Sequence, residues 1–412
     1  PMPRDLTKSR YLDGLRCPKL LWTRWNRPEL VPPPDPQREL IMRAGHQVGA
    51  LAQRLFDGGV EVPRFENARA AVRATAKLLE QRVPLFEAAF AGDGRLCRVD
   101  VLVPGLAGRW DIVEVKASTR VRETHVRDVA FQYDTLTRAG LELDRLVILH
   151  LDGSYVRGEE VDLEQLFVAE DVTERVLRLA PYTGQTITAM ETMLAGPDPD
   201  TPLGSRCTSP HPCLLKDACW SDLPPANVTQ LYAGGRKTWE LMNEGIFTVA
   251  SVPDDQLTPR QRIQKETLAR GTVHVDGPAV RKWLDGLVYP LHHLDFETFA
   301  PAVPAFPGAR PYQQVPCQFS LHIQRSPGAE PEHREYLATE PGDPRAKLVE
   351  ALLTACGEEG SLLAWNMAFE KLVIEDLATF DLVRAPQLMN LASRLEDLMA
   401  PFQSFAVYHP DQ

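Results

Sequence analysis

The sequence predicts a mixed α/β protein built from more than one domain. Three observations lead there. Short β-rich runs follow one another between about Pro84 and Lys116, then a helical period, then another strand. A second strand-led stretch begins at about Tyr289. The chain has 412 residues, enough for two or three cores of ordinary size.

The elements follow in order. The proline run in "LVPPPDPQ", Leu30 to Gln37, separates two helical patterns. After it, Leu40, Ile41, Ala44, Val48, Leu51 and Leu55 recur at helical spacing, with His46 on the opposite face. "PLFEAAF", "CRVDVLV" and "DIVEVKA" read as three strands, and "VPGLAGR" as the turn between the last two. "THVRDVAFQYDTLTRAG" reads as a helix ending at Gly140, and "DRLVILHL" as the next strand. Two helices are expected over 171–180 and 185–194, then an irregular Pro- and Cys-rich loop. Residues 226–288 read as a helical linker domain. They divide an N-terminal domain, 1–225, from a C-terminal α/β domain, 289–412.

Composition narrows the classes. Hydrophobic content of 44% and charged content of 25% are those of a soluble globular protein. No apolar run approaches the roughly 20 residues needed to span a bilayer, so no membrane partner is expected. The start "PMPRDLTKSRYL" lacks an apolar signal core, and seven cysteines in a chain this long suit a reducing cytoplasm. The net charge is −11, yet residues 1–54 hold ten Lys/Arg against five Asp/Glu. A basic segment on an acidic protein suits a phosphate-binding groove beside a carboxylate metal site, although a solvated helix surface has the same composition.

"WDIVEVKAST" carries the first chemical signal. Side chains alternate along a strand, so Ile112, Glu114 and Lys116 share one face. A solvated edge strand would carry the same pair; on a covered strand the two charges cost desolvation unless they are used. Asp100 lies in "RVDVLVPG", one turn earlier, on what should be the antiparallel neighbour. Asp100 and Glu114 could then hold one Mg²⁺ or Mn²⁺, with Lys116 beside the attacked phosphate or its water.

Asp100 followed by Glu114-x-Lys116 resembles the PD-(D/E)xK nuclease core. The chain is most similar to the RecB-like branch, which includes CRISPR-associated and AddB-type exonucleases with an iron-sulfur cluster. The resemblance implies His46 as a further metal ligand, from "RAGHQVGALAQRLF", and Gln132 in "VAFQYDTL" as a site residue. Asp128 lies one turn before Gln132. Leu136 stands where the family has a tyrosine, and Glu87 is a further nearby acid.

Cys207, Cys213 and Cys219 recur with five residues between neighbours, and Cys17 offers a fourth thiol. Buried apolar packing would explain one such cysteine better than an evenly spaced set in a loop. The family's split, one cysteine before the nuclease core and three after, implies a [4Fe–4S] cluster that staples the domain. Zinc, with His211 as an alternative ligand, is the other expectation. Cys97, Cys317 and Cys356 read as core residues.

"HHLDFETF" places Asp295 and Glu297 on one strand face. It resembles the first motif of DnaQ-like (DEDD) exonucleases of the RNase H fold. "LLAWNMAFEKLVIEDLA" resembles their second motif through Asn366 and Phe369, with Glu370 where an Asp is usual, and "RLEDLMAPF" supplies Asp397. No third motif follows, so this domain is expected to be incomplete and to contribute little activity.

The expected fold is therefore a restriction-endonuclease-like α/β core with cluster-stapled helices, a helical linker and a partial RNase H-like domain. The expected function is a Mg²⁺- or Mn²⁺-dependent nuclease, a DNA exonuclease acting on single strands, with DNA ahead of RNA as partner. The alternative is a cluster-stabilised nucleic-acid-binding scaffold with inactive sites.

Overall fold

The computed structural model describes residues 5–33, 36–63 and 67–411. It has the α/β character that the strand and helix periods predict. The chain divides into two compact units. The first comprises Pro1–Cys219 and Pro301–Tyr312; the second comprises Trp220–Ala300 and Gln313–Gln412. Among the described residues, no helix is long and apolar enough to cross a membrane.

The first unit contains, in chain order, β1 (Leu6–Thr7), α1 (Lys8–Arg16), α2 (Pro18–Asn26), α3 (Pro36–Gln53), β2 (Val60–Glu61), α4 (Ala68–Leu79), β3 (Leu85–Gly92) and β4 (Arg95–Pro104). It continues with β5 (Trp110–Lys116), α5 (Glu123–Arg138), β6 (Leu143–Leu151), α6 (Leu163–Leu166), β7 (Phe167–Asp171), α7 (Thr173–Leu194) and the beginning of α8 (Lys216–Trp220). Its seven-stranded sheet runs β2-β3-β4-β5-β6-β7, with β1 attached to β4. The sheet is mixed: β3, β4 and β5 are antiparallel neighbours, whereas β5 and β6 are parallel. Helix α5 makes the connection that a parallel pair requires.

Both faces of the sheet are covered. Val99, Ile112, Leu146 and Ile148 pack with Tyr11 of α1, Val126 and Phe131 of α5 and Ile187 of α7. Val101, Val113, Val147 and Leu149 pack on the other side with Val48 and Ala52 of α3 and with Ala302 and Val303. Strand β5 is buried from Trp110 to Glu114, so it is not an edge strand with a wet side.

Several local expectations are met and several are adjusted. Helix α5 ends before Gly140, whose φ of 85° is the left-handed conformation glycine adopts without strain. The two expected helices over 171–194 are one, α7, with Pro181 inside it. On α3, Leu40 and Ile41 are exposed, and the stripe is covered only from Ala44 onward.

The second unit contains the end of α8, then α9 (Gly235–Asn243), α10 (Pro259–Arg270), β8 (His274–Val275), α11 (Gly277–Leu284), β9 (Leu291–Phe299), β10 (Val315–Gln324), β11 (Glu332–Leu337) and α12 (Arg345–Cys356). It ends with β12 (Leu362–Ala364), α13 (Ala368–Phe380), α14 (Ala385–Ser393), β13 (Leu395–Asp397), α15 (Ala400–Gln403) and β14 (Val407–Tyr408). A five-stranded sheet of order β11-β10-β9-β12-β13 packs one face against α12, α13 and α14.

The helical stretch expected as a separate linker belongs to this second unit. Val228, Leu231, Leu241 and Val249 form a small core of their own. Strand β8 pairs with β14 from the far end of the sequence, and Tyr232 packs edge-on against Phe405 at 4.7 Å. That pairing is non-local, so no sequence window contains it. Residues 301–312 join the first unit for the same kind of reason. The Arg157 amide donates to the Ala309 carbonyl at 3.0 Å, and the Arg157 guanidinium reaches the Pro304 carbonyl.

Candidate active site

The site of interest in the first unit arises where β4 and β5 part. Their ladder pairs Val103 with Asp111 and Val101 with Val113, and the register points Asp100 toward Glu114. Beyond that point a side chain replaces the ladder: the Val115 amide donates to Asp100 Oδ2 at 2.8 Å. On the other half of β4, β1 pairs in parallel at Arg95 and Leu96. The sheet therefore opens between β1 and β5, and Lys8, the residue after β1, reaches the opening.

Helix α5 lies over this opening, and Asp134 ion-pairs with buried Arg95 of β4 at 2.9 Å. Two of its buried polar residues, Asp128 and Gln132, are one turn apart and face the strands. The Gln132 amide nitrogen donates to Glu114 Oε2 at 2.7 Å and to Asp128 Oδ1 at 3.2 Å. Turning the amide over would set its oxygen against two carboxylates, so this orientation is electrostatically fixed. Its buried oxygen Oε1 has no hydrogen-bond partner among the described residues.

Lys116 Nζ lies 2.6 Å from Glu114 Oε1 and 2.6 Å from Asp128 Oδ2. Lys8 Nζ lies 2.9 Å from Glu114 Oε1 and 3.8 Å from Asp100 Oδ1. Glu114 is only 1% exposed, whereas the side chains of Lys8 and Asp100 are each 28% exposed. The cluster thus has a closed floor, Glu114 with Asp128, and an open lip, Lys8 with Asp100 and Lys116.

These contacts set the charges. Burial pushes Glu114 up, but Lys116 and Lys8 outweigh it and hold the carboxyl below its usual range. Asp100 is pushed up to about 7, by burial and then by the Glu114 charge. Asp128 rises for the same two reasons. Burial pulls Lys116 down, but Glu114 and Asp128 more than offset it, and the ammonium is held above the ordinary lysine range. An ammonium so held is a fixed cation rather than a proton acceptor.

The structure thus brings together Asp100, Glu114, Lys116 and Gln132. It adds Lys8, which sequence reasoning missed because its partners lie about a hundred residues away. It does not bring in His46. That residue is exposed on α3, whose buried Val48 and Ala52 pack on the sheet face opposite the one Ile112 lines. Glu87 stands across from Asp100 on β3 in a strained backbone conformation, φ 55°, and its carboxylate lies 3.9 Å from Arg98 rather than in the cluster.

Cys17, Cys207, Cys213 and Cys219 line one small cavity together with Lys19, Arg206 and Lys216. Cys17 sits at the joint between α1 and α2. The Arg16 guanidinium donates to the carbonyls of Arg206 and His211, which ties the distant loop to that joint. Among the described residues no carboxylate lines the cavity, and His211 does not. Among the described residues, no three His, Cys, Asp or Glu side chains are arranged to grip one metal ion. At the carboxylates the space is filled by the two ammoniums. The four thiols are free. Cys97 and Cys356 are buried as expected, each pushed up to about 12 by burial, and Cys317 is half-buried.

In the second unit, Asp295 and Glu297 are exposed on β9. Glu370, near the start of α13, is 3% exposed, and its Oε2 has no hydrogen-bond partner among the described residues. Burial, then the charges of Asp295 and Asp397, push its carboxyl up, so these three acids sit within electrostatic reach. Asp397 accepts from the Asn366 and Met399 amides.

Residues 292–412 match a family model described as a domain of unknown function (DUF2779). The match begins inside β9 and takes in Asp295, Glu297, Glu370 and Asp397. No curated protein matches the chain.

Proposed function

We propose that the first unit is a Mg²⁺- or Mn²⁺-dependent nuclease with a PD-(D/E)xK core, acting on DNA. The observation that carries this reading is the convergence of Asp100, Glu114, Lys116 and Gln132, from two strands and a helix, at the fork of β4 and β5. Asp100 and Glu114 offer the hard oxygen donors that Mg²⁺ and Mn²⁺ prefer, at a site reachable from solvent. They are the residues that would hold the ion. When bound, it supplies Lewis-acid stabilisation of charge on the scissile phosphate.

The chain's own groups do the rest. Gln132 donates to the Glu114 carboxylate at 2.7 Å and so orients it as an acceptor. Glu114 and Asp128 clamp Lys116 in the charged form, a fixed ammonium that stabilises negative charge developing on a phosphate. A cavity of about 340 Å³ lined by Ser9, Arg10 and Arg24 begins one residue beyond Lys8. The Arg10 guanidinium stacks over Trp25 at 4.9 Å, a cation and an aromatic face of the kind that hold a single strand.

For the four thiols we propose a [4Fe–4S] cluster, with zinc as the other reading, because all four line one cavity and cations stand beside them. A cluster would link α1 and α2 to the loop that ends the unit. For the compartment we propose a reducing cytoplasm, on the number of cysteines in a chain this long. For residues 289–412 we propose an RNase H-like fold whose four acids, Asp295, Glu297, Glu370 and Asp397, contribute little cleavage.

The test is cleavage of a labelled single-stranded oligonucleotide by the full chain with Mn²⁺. Loss of cleavage in Glu114→Gln is the expected result. A second reading, a nucleic-acid-binding scaffold, draws on the two ammoniums that already balance the acids. It predicts tight binding of the oligonucleotide with no cleavage by the native chain.

A further inference from the structure

Lys8 is set among three acids from three different elements. Its Nζ lies 2.9 Å from Glu114 Oε1, 3.8 Å from Asp100 Oδ1 and 4.0 Å from Asp128 Oδ1. The other ammonium, Lys116, is differently placed. It makes two contacts of 2.6 Å, to Glu114 and Asp128, and is held between them. Lys8 stands at the first position of α1, behind a strand of only two residues. Its long stem can swing its charge by rotation about side-chain bonds alone. With 28% of its side chain exposed, it has water to swing into.

The charge balance says what the swing would do. Three carboxylates, Asp100, Glu114 and Asp128, face two ammoniums. Adding a divalent cation on top of both lysines would leave the cluster positive in a half-buried site, which low dielectric disfavours. Exchanging Lys8 for the cation leaves it neutral. The acids nearest Lys8 are Glu114 on the floor and Asp100 at the lip, the same two carboxylates proposed to hold the ion.

We propose that Lys8 is a displaceable counter-ion. Its ammonium holds the place between Glu114 and Asp100 that a divalent cation takes, and on loading it turns to the exposed lip, where it binds a phosphate of the nucleic acid. This rests on the nuclease reading above. It makes metal loading and strand binding one coupled event. Without metal, the carboxylates are blocked and the lysine is withheld from substrate. With metal, both are released together.

The experiment is amine labelling of the full native chain with acetic anhydride, read by mass spectrometry on the peptide that contains Lys8, with and without saturating Mn²⁺. Lys347, 63% exposed, serves as the internal reference. Lys8 should label much more slowly than Lys347 without metal and several-fold faster with it. In calorimetry, Lys8→Ala should bind Mn²⁺ about tenfold more tightly or better, the modest end of what removing a charge about 4 Å away yields in a half-wet site. The same variant should show a higher KM for the oligonucleotide. Mn²⁺ binding with unchanged Lys8 labelling overturns this inference and leaves the nuclease reading standing. A native chain that binds no Mn²⁺ overturns both. If Lys8→Ala fails to fold, the labelling of the native chain decides.

Discussion

Replacing Lys116 by methionine keeps a long apolar stem on β5 and deletes its charge. The native ammonium makes two charge-assisted contacts of 2.6 Å, to Glu114 and Asp128. Hydrogen bonds to charged groups contribute about 1.5–3 kcal/mol each, so the pair is worth roughly 3–6 kcal/mol. Breaking a buried ion pair by removing one partner costs about 3–5 kcal/mol by a separate route. Two features lower the figure. Lys8 can lean toward Asp128, now 4.0 Å away, and Asp128, already pushed up, can take a proton. We therefore expect a loss of about 3 kcal/mol in the metal-free protein at pH 8, and less at pH 5.5, where Asp128 protonates more readily. Hydrogen exchange of the β5 peptide, Trp110–Lys116, is the assay, because it reports the first unit rather than the whole chain. A loss of 3 kcal/mol corresponds to exchange faster by roughly 10². Mn²⁺ should restore most of the protection, since a divalent cation replaces the lost charge. Unchanged exchange in β5 at pH 8 would refute the clamp: Lys116 would then be an exposed lysine that happens to lie near two acids.

Lys116→Met should also slow Mn²⁺-dependent cleavage by roughly 10²–10³, the range for a preorganised electrostatic partner, as measured on the labelled oligonucleotide. Glu114→Gln should lose cleavage and weaken Mn²⁺ binding, and excess Mn²⁺ should rescue it better than it rescues Lys116→Met, because mass action offsets lost affinity but not a lost cation. Asp100, pushed up to about 7, keeps its proton in the folded metal-free protein where an unfolded aspartate has lost it. Its contribution to stability therefore falls as pH rises from about 4 to about 7. Mn²⁺ must displace that proton below pH 7, so calorimetric affinity should drop about tenfold per pH unit there and level off above. Cys213→Ala should lose iron and the brown colour on anaerobic purification; stoichiometric zinc without iron in the native protein would sink the cluster. Asp295→Ala should leave cleavage close to the parent rate, and a large loss would place the engine in the second unit.

The local patterns carried most of the first unit. The alternation in "CRVDVLV" and "DIVEVKA" specifies strands, the turn between them makes those strands antiparallel, and that alone sets Asp100 opposite Glu114. Period 3.6 places Asp128 and Gln132 on one face of α5, and the glycine at 140 ends that helix. Each of these depends on neighbours a few residues apart, which is the range over which backbone geometry transmits information along the chain. The four cysteines lie in two remote stretches; the even spacing of three and the family resemblance suggested that Cys17 joins them, and all four line one cavity.

What the sequence could not determine is what crosses the fold. The periodic stripe of α3 predicted which side is apolar, but not that α3 would cover the opposite sheet face and leave His46 in solvent. The two helices expected over 171–180 and 185–194 are one, because α7 continues through Pro181. Residues 226–288 look self-contained until β14 pairs with β8, more than a hundred residues away. Lys8 is the clearest case. In "LTKSRYL" it is one basic residue among ten in its segment, with no periodic or motif signal of its own. Its significance comes from a two-residue strand that joins β4 just where β5 leaves it, and so delivers an ammonium into an opening walled by acids from residues 100, 114 and 128. Charge acts through space, and the low dielectric of a buried floor strengthens it, so the partners of a charged side chain are decided by the tertiary fold and not by its place in the chain.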